Sequence, residues 1–298
     1  MSDTAITPAA PEWFTRAIAC QPESCFVAVD GTQIHYLSWN AADTHKPALL
    51  FTHGFRAHAR WWSFVAPFFL SRFRVFALDW SGMGDSGSRT QYGPSQYSRD
   101  LAGVIEHGRL GRTTLVGHSF GGGRVLRFCA DHPGDVERAV VIDSNVPIAN
   151  SIPRDGPPAM QLLRPKKIYP TYAAARERFR LIPEQNCATA YVLDYVGRHS
   201  IKEVEGGWTW KFDDSFAAWQ PESYAEPAEP AEAMLGRITM PLTYVYGDLS
   251  AAVNRAHAYA IVGLLPHGRG PVAIPQSHHH VMLDQPLALV AALKGILY

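Results

Sequence analysis

What is scarce in this sequence already narrows the possibilities. Among 298 residues there are four cysteines, Cys20, Cys25, Cys129 and Cys187, and none stands at a CxxC or zinc-type spacing. They read as reduced thiols in a cytoplasmic protein, not as a disulfide framework. Charge of one sign is also missing, because 27 Lys+Arg balance 27 Asp+Glu. No nucleic-acid partner is expected, since such footprints need a marked basic excess. No apolar run approaches the roughly 20 residues of a membrane span. The opening "MSDTAITPAAPEWFTRAIAC" lacks the basic start and apolar stretch of a secretion signal. Apolar residues themselves are plentiful at 47%, enough for the core of one large domain or of one domain carrying an insertion.

The apolar residues are distributed in two rhythms. Residues 24–40, "SCFVAVDGTQIHYLSWN", alternate around Asp30-Gly31, which predicts an antiparallel hairpin. After that come short continuous runs: "PALLFT" (47–52), "FRVFALD" (73–79), "TTLVG" (113–117), "RAVVID" (138–143), "PLTYVYG" (241–247) and "PVAIP" (271–275). Continuous apolar strands imply burial on both faces, as in a parallel sheet covered by helices. Helical stretches at 60–71, 95–107 and 120–131 alternate with them, which predicts an α/β doubly wound sheet with an antiparallel start. From about 147 to 237 no buried strand appears and aromatic residues are frequent. That stretch, which includes "GGWTWKFDDSF" and the connector "PESYAEPAEPAEAM", reads as a mostly helical cap.

A serine stands at the centre of the most informative stretch, "TTLVGHSFGGGRVLRFCADHPG". Gly117-x-Ser119-x-Gly121 follows a strand and opens a helical run that Pro133 and Gly134 close. A sharp strand-to-helix turn crowds the backbone on both sides of the serine, hence the glycines. Such a turn lifts the hydroxyl off the sheet and aims the next N–H at a reacting oxygen. The plainer alternative is a serine that only caps the helix. A nucleophile needs a second N–H donor, and the strand "ALLFT" ends in His53-Gly54-Phe55. The amides of Phe55 and Phe120 would form an oxyanion hole, each donor worth roughly 10²–10³ in rate. Near the C-terminus "SHHHVMLDQP" follows the last strand and returns to the same edge of the sheet. Adjacent histidines point in different directions, and no cysteine or carboxylate stands at ligand spacing, so no metal is expected.

Taken together, "HGF", "LDWSGMGDSG", "GHSFGG" and "HHHVMLDQP" resemble the α/β-hydrolase superfamily, in particular its capped, cofactor-free, esterase-like serine hydrolases, over residues 26–298. The resemblance implies the α/β-hydrolase fold: a mostly parallel, doubly wound sheet with an antiparallel N-terminal hairpin and a helical cap insertion. Its core would comprise 1–146 and 238–298, and its cap (lid) 147–237. The family register selects His279 as the base, with Asp284 as a later landmark and His278 and His280 as its flanks. "GMGDSG" also matches a dinucleotide fingerprint at Gly82, Gly84 and Gly87, but turn-like residues follow where a helix should open. Those glycines read as a structural loop, and no cofactor is expected.

The third catalytic partner departs from the family pattern. The acid most often stands where this chain has Ser250, in "YGDLSAAV", and a hydroxyl cannot stabilise an imidazolium as a carboxylate does. Asp143, which ends "RAVVID" and has Pro147 four residues on, matches the place where some relatives carry the acid. Asp248 is the alternative. The resemblance implies cleavage of carboxylic esters of small molecules through an acyl-enzyme. Hydrolysis of a carbon–carbon bond in a diketone, of a lactone or of a thioester would use the same residues. The diketone reading calls for an anion-binding group such as Arg56 or Arg124, and a non-catalytic receptor on the same fold is a further alternative. Trp208, Trp210, Phe212 and Trp219 are candidates for an apolar substrate pocket or, equally, for the core of the cap.

Overall fold

A computed structural model describes residues 10–148, 166–215 and 229–298. After α1 (Glu12–Ala19), Asp30 and Gly31 both take positive φ, 46° and 76°, as a two-residue hairpin turn requires. They join β1 (Glu23–Val29) to β2 (Thr32–Trp39). The continuous apolar runs become β3 (Ala48–Thr52), β4 (Arg74–Leu78), β5 (Thr113–His118) and β6 (Val136–Ile142). A separate pair, β7 (Ile201–Val204) and β8 (Gly207–Trp210), precedes β9 (Leu242–Gly247) and β10 (Gly268–Ile274). The other α-helices of the first half are α2 (Pro94–His107) and α3 (Phe120–Asp131). Those of the second half are α4 (Tyr172–Glu177), α5 (Ala190–His199), α6 (Ala231–Gly236), α7 (Arg255–Leu264), α8 (Val281–Asp284) and α9 (Pro286–Leu297).

Eight strands form one sheet in the order β1-β2-β4-β3-β5-β6-β9-β10, with β2 alone running against the rest. This is the α/β-hydrolase fold that the sequence implied. The pleat sorts the apolar runs between two layers. Ala48 and Leu50 of β3 join a cluster with Leu101 of α2 and Val125 of α3, whereas Leu49 and Phe51 join another with Phe14 of α1 and Leu293 of α9. Burial on both faces is why these strands show no polar alternation.

Two expectations need correction. The helix expected over 60–71 is two 3-10 turns, Ala59–Trp62 and Ala66–Phe69. Pro67 lies in the second of them, and a proline ring cannot sit inside a continuous α-helix without removing a hydrogen bond and clashing with the preceding turn. The insertion is not simply helical, because β7 and β8 pair as an antiparallel hairpin after α4 and α5. Gly206, at φ 84°, makes its turn, and the Trp and Thr residues after it favour a pleated strand. Within the stretch expected to form the cap, α6 packs Ala231 and Leu235 into the first cluster. Among the described residues no helix is long and apolar enough to cross a membrane.

Candidate active site

Ser119 occupies the turn between β5 and α3 with φ 52° and ψ −119°. A non-glycine residue rarely adopts positive φ, and the surroundings must hold it there. Its N–H donates to the Ile142 carbonyl at 2.9 Å, and its carbonyl accepts from Ser144 Oγ at 2.8 Å and from the Gly123 N–H at 3.1 Å. The turn is tight because α3 starts against the end of β3. A side chain on Gly121 would lie 2.5 Å from the His53 carbonyl oxygen and 2.7 Å from Thr52 Oγ1. The Ser119 hydroxyl makes no capping bond to α3. It stands instead 2.8 Å from His279 Nε2.

His279 follows β10, and its Nδ1 lies 2.8 Å from Asp143 Oδ1. A carboxylate only accepts, so the proton sits on Nδ1 and Nε2 is free to accept from the serine. Asp143 ends β6 at φ 48°, fully buried, its N–H donating to the Val245 carbonyl at 2.8 Å. Its Oδ2 accepts from the Gly247 N–H at 2.9 Å and its Oδ1 from Ser250 Oγ at 2.7 Å. A buried carboxylate needs such partners. Ser250, at the position where the family most often carries the acid, thus donates to the carboxylate that contacts His279. Asp248 does not face His279; its Oδ1 accepts from the Ser277 N–H at 3.2 Å, at the root of the histidine loop.

That loop is gripped from two sides. Asp284 Oδ2 accepts from the His278 N–H at 2.7 Å and from Gln185 Nε2 at 3.0 Å. Gln185 Oε1 accepts from the His280 N–H at 2.9 Å, tying the insertion to the loop. His118 Nε2 donates to the His279 carbonyl at 2.9 Å. Burial holds the imidazoles of His118 and His280 well below their usual pKa, so both are neutral beside His279. Ligand atoms of His118, His279 and His280 do come within 4.8 Å of one another, closer than adjacent histidines were expected to bring them. Both nitrogens of His279 are engaged by Ser119 and Asp143, however, and His118 Nε2 is a donor. Gln185 carried no signal in the sequence, lying in an irregular insertion. His118, directly before the serine, could have been suspected from position alone.

The two candidate oxyanion donors flank the serine. Phe120 opens α3, and a side chain on Gly54 would lie 3.3 Å from Ser119 Cβ, so Phe55 leaves β3 beside the nucleophile candidate. The rings of Phe55 and Phe120 are 5.8 Å apart. A cavity of about 160 Å³ has Phe55 and His280 in its wall, together with Arg56, Trp210 and Phe212, whereas Ser119, Phe120 and His279 do not line it. Trp208 is not in its wall and packs edge-on against Tyr172 at 5.2 Å. Trp219 lies outside the described residues. Arg124 stacks over the Phe120 ring at 4.5 Å.

Within "GMGDSG", Gly84 packs against a buried carboxylate. Gly84 has φ 61°, and a side chain there would overlap the Asp79 carboxylate at 2.2 Å. Asp79 Oδ2 accepts from His35 Nδ1 at 2.6 Å and from the Asp85 N–H at 2.9 Å. Burial works to raise the Asp79 carboxyl, but the His35 bond and the neighbouring histidines hold it below the ordinary range.

A doubly wound sheet presenting a serine on a strand–helix elbow, in hydrogen-bond line with a histidine and a carboxylate, has the form of a serine hydrolase. The profile of the alpha/beta hydrolase family matches residues 49–293, and the chain belongs to that family. It is 25% identical to an esterase of Mycobacterium tuberculosis, Rv0045c, over 90% of this chain and 88% of that one. It is 35% identical to a bifunctional esterase/perhydrolase of Acinetobacter calcoaceticus over 122 residues, 40% of this chain and only 44% of that protein's length. In three dimensions it resembles a thioesterase domain from the curacin biosynthetic pathway, with a TM-score of 0.73 and 22% identity over 92% of this chain and 99% of that one. Likeness at that identity speaks to fold.

Proposed function

We propose that this protein hydrolyses carboxylic esters of small molecules through an acyl-enzyme. The observation that carries the reading is the line from Ser119 Oγ through His279 to Asp143, 2.8 Å at each step. His279 Nε2 takes the hydroxyl proton as Ser119 Oγ attacks the acyl carbon, and Asp143 stabilises the imidazolium that forms. The amides of Phe55 and Phe120 hold the oxyanion. As the tetrahedral adduct collapses, the ester C–O bond breaks and Nε2–H protonates the departing alcohol. Water then gives a proton to Nε2 and attacks the acyl carbon, and Ser119 leaves as the alcohol. The esterase names of two relatives support this reading.

A panel of p-nitrophenyl esters of increasing acyl length tests it. Release of p-nitrophenol that disappears in Ser119→Ala is the expected result, and release unchanged by that substitution would refute it. A second reading, carbon–carbon cleavage of a diketone, is favoured by Arg56 in the cavity wall, where an anion-binding group was anticipated. The receptor reading drew its weight from the absent acid, and the 2.8 Å contact of Asp143 with His279 favours the enzyme reading over it.

A further inference from the structure

Arg56 immediately follows Phe55, holds a positive φ of 57° and lines the cavity that also has Phe55 and His280 in its wall. Its Cζ lies 4.0 Å from the centroid of the Phe212 ring, a cation–π contact that fixes the guanidinium plane. Nε and Nη2 are buried and have no hydrogen-bond partner. Those two N–H groups lie on one edge of the guanidinium and point the same way, which makes them the fork that grips a carboxylate with two parallel bonds. A buried donor left without a partner is costly, and a charged one more so. The aromatic contact occupies the face of the group and leaves this edge open. Burial pushes Arg56 down to about 10, so it is still a cation at neutral pH. Asp214 acts on it only at longer range; its own Oδ1 accepts from the Lys166 N–H at 2.9 Å.

The rest of the wall agrees in sign. Arg178, Arg180 and Lys211 line the same cavity, and no aspartate or glutamate does so among the described residues. His58 and His280, also in the wall, are kept neutral by burial. At about 160 Å³ the cavity is smaller than the roughly 300–1,000 Å³ of pockets for drug-sized ligands. It has room for a short acyl chain.

We propose that this cavity is an anion subsite, in which the Nε–Nη2 edge of Arg56 holds a carboxylate at the far end of a short acyl group while Ser119 attacks the ester at the near end. The substrates would then be half-esters of short dicarboxylic acids. The inference rests on the ester-hydrolase reading above and adds the substrate class.

The test compares mono-4-nitrophenyl glutarate with 4-nitrophenyl valerate, which differ by a carboxylate in place of a methyl group. The charged ester should have the higher kcat/KM by at least about tenfold, because a site built to bond a polar group rejects the analogue that lacks it. Arg56→Met should abolish that ratio, and Arg56→Lys, which keeps the charge but not the fork, should fall between them. Equal turnover of the two esters by the wild type, or a ratio that survives in Arg56→Met, overturns the proposal. If neither ester is cleaved, the ester reading fails, and the subsite is judged by calorimetry of glutarate binding to Ser119→Ala. Saturable binding lost on adding Arg56→Met supports the subsite; no binding, or binding indifferent to Arg56, overturns it.

Discussion

The Ser250 hydroxyl donates to Asp143 Oδ1 at 2.7 Å, the same carboxylate oxygen that faces His279 Nδ1. The residue at the family's usual acid position therefore touches the carboxylate that contacts the histidine. The two chain positions, one after β6 and one after β9, converge on one point because β6 and β9 are neighbours in the sheet. An acid can reach the histidine from the end of either strand.

Asp143→Asn should reduce kcat by about 10³–10⁴ with little change in KM, because an amide can present the wrong partner to Nδ1 and cannot stabilise an imidazolium. Asp248→Asn should change kcat by no more than a few fold. Steady-state kinetics on one p-nitrophenyl ester would decide, and equal losses in the two variants would contradict the assignment.

Ser250→Ala should be milder than Asp143→Asn, costing about tenfold in kcat/KM, the size expected for one hydrogen bond to a charged group. In the Asp143→Asn background, Ser250→Asp should recover part of the lost activity, since it returns a carboxylate to the same place. A double variant no more active than Asp143→Asn would show that the two positions are not interchangeable.

Gly121→Ala should destabilise the fold and the site together. The added methyl would press on the His53 carbonyl and Thr52 Oγ1, at the edge of β3 that carries Phe55. A cost of about 2–4 kcal/mol is reasonable for an unrelieved backbone clash, which should lower Tm by several degrees in a thermal melt. An unchanged Tm would mean that α3 can move away from β3 freely.

Acid should weaken the protein before its carboxylates titrate. Burial lowers His53, His58, His118 and His280, with His58 down to about 3. Below pH ~6.5 the unfolded chain takes up protons on these side chains, whereas the folded chain does so only at lower pH. Stability is thus full above that value and falls as pH drops towards 3. Each such histidine contributes a slope of about 1.4 kcal/mol per pH unit within its window. Asp79, depressed in the fold, acts only lower, from about pH 4 downward. Urea unfolding at pH 7 and pH 5 should show a clear loss, smaller in His58→Asn. Equal stability at the two values would contradict the neutral, buried state of these imidazoles.

The core of the fold was legible because its strands are buried on both faces, which leaves runs such as "ALLF" and "AVVI" that no surface element would carry. The elbow was legible for a similar reason, since only glycines fit where α3 meets the end of β3. Less local features escaped. The segment 60–71 is rich in apolar residues, as a buried helix is, and Pro67 was too small a signal to break it. The hairpin of β7 and β8 is only four residues a side, with "GWTW" hidden among other aromatics. Choosing between Asp143 and Asp248 needed three dimensions, because adjacent strand ends are remote in sequence. Gln185 acts through a contact with the histidine loop that no spacing could announce, whereas Arg56 was a candidate anion-binding group in the sequence and only its place in the cavity wall needed the structure.

The central claim is that Ser119 becomes acylated. Intact-protein mass spectrometry after brief exposure to a fluorophosphonate, followed by peptide mapping, measures this most directly. The account predicts a single adduct on Ser119, absent in Ser119→Ala and strongly slowed in His279→Ala. An unmodified Ser119, or an adduct that persists in Ser119→Ala, would contradict it.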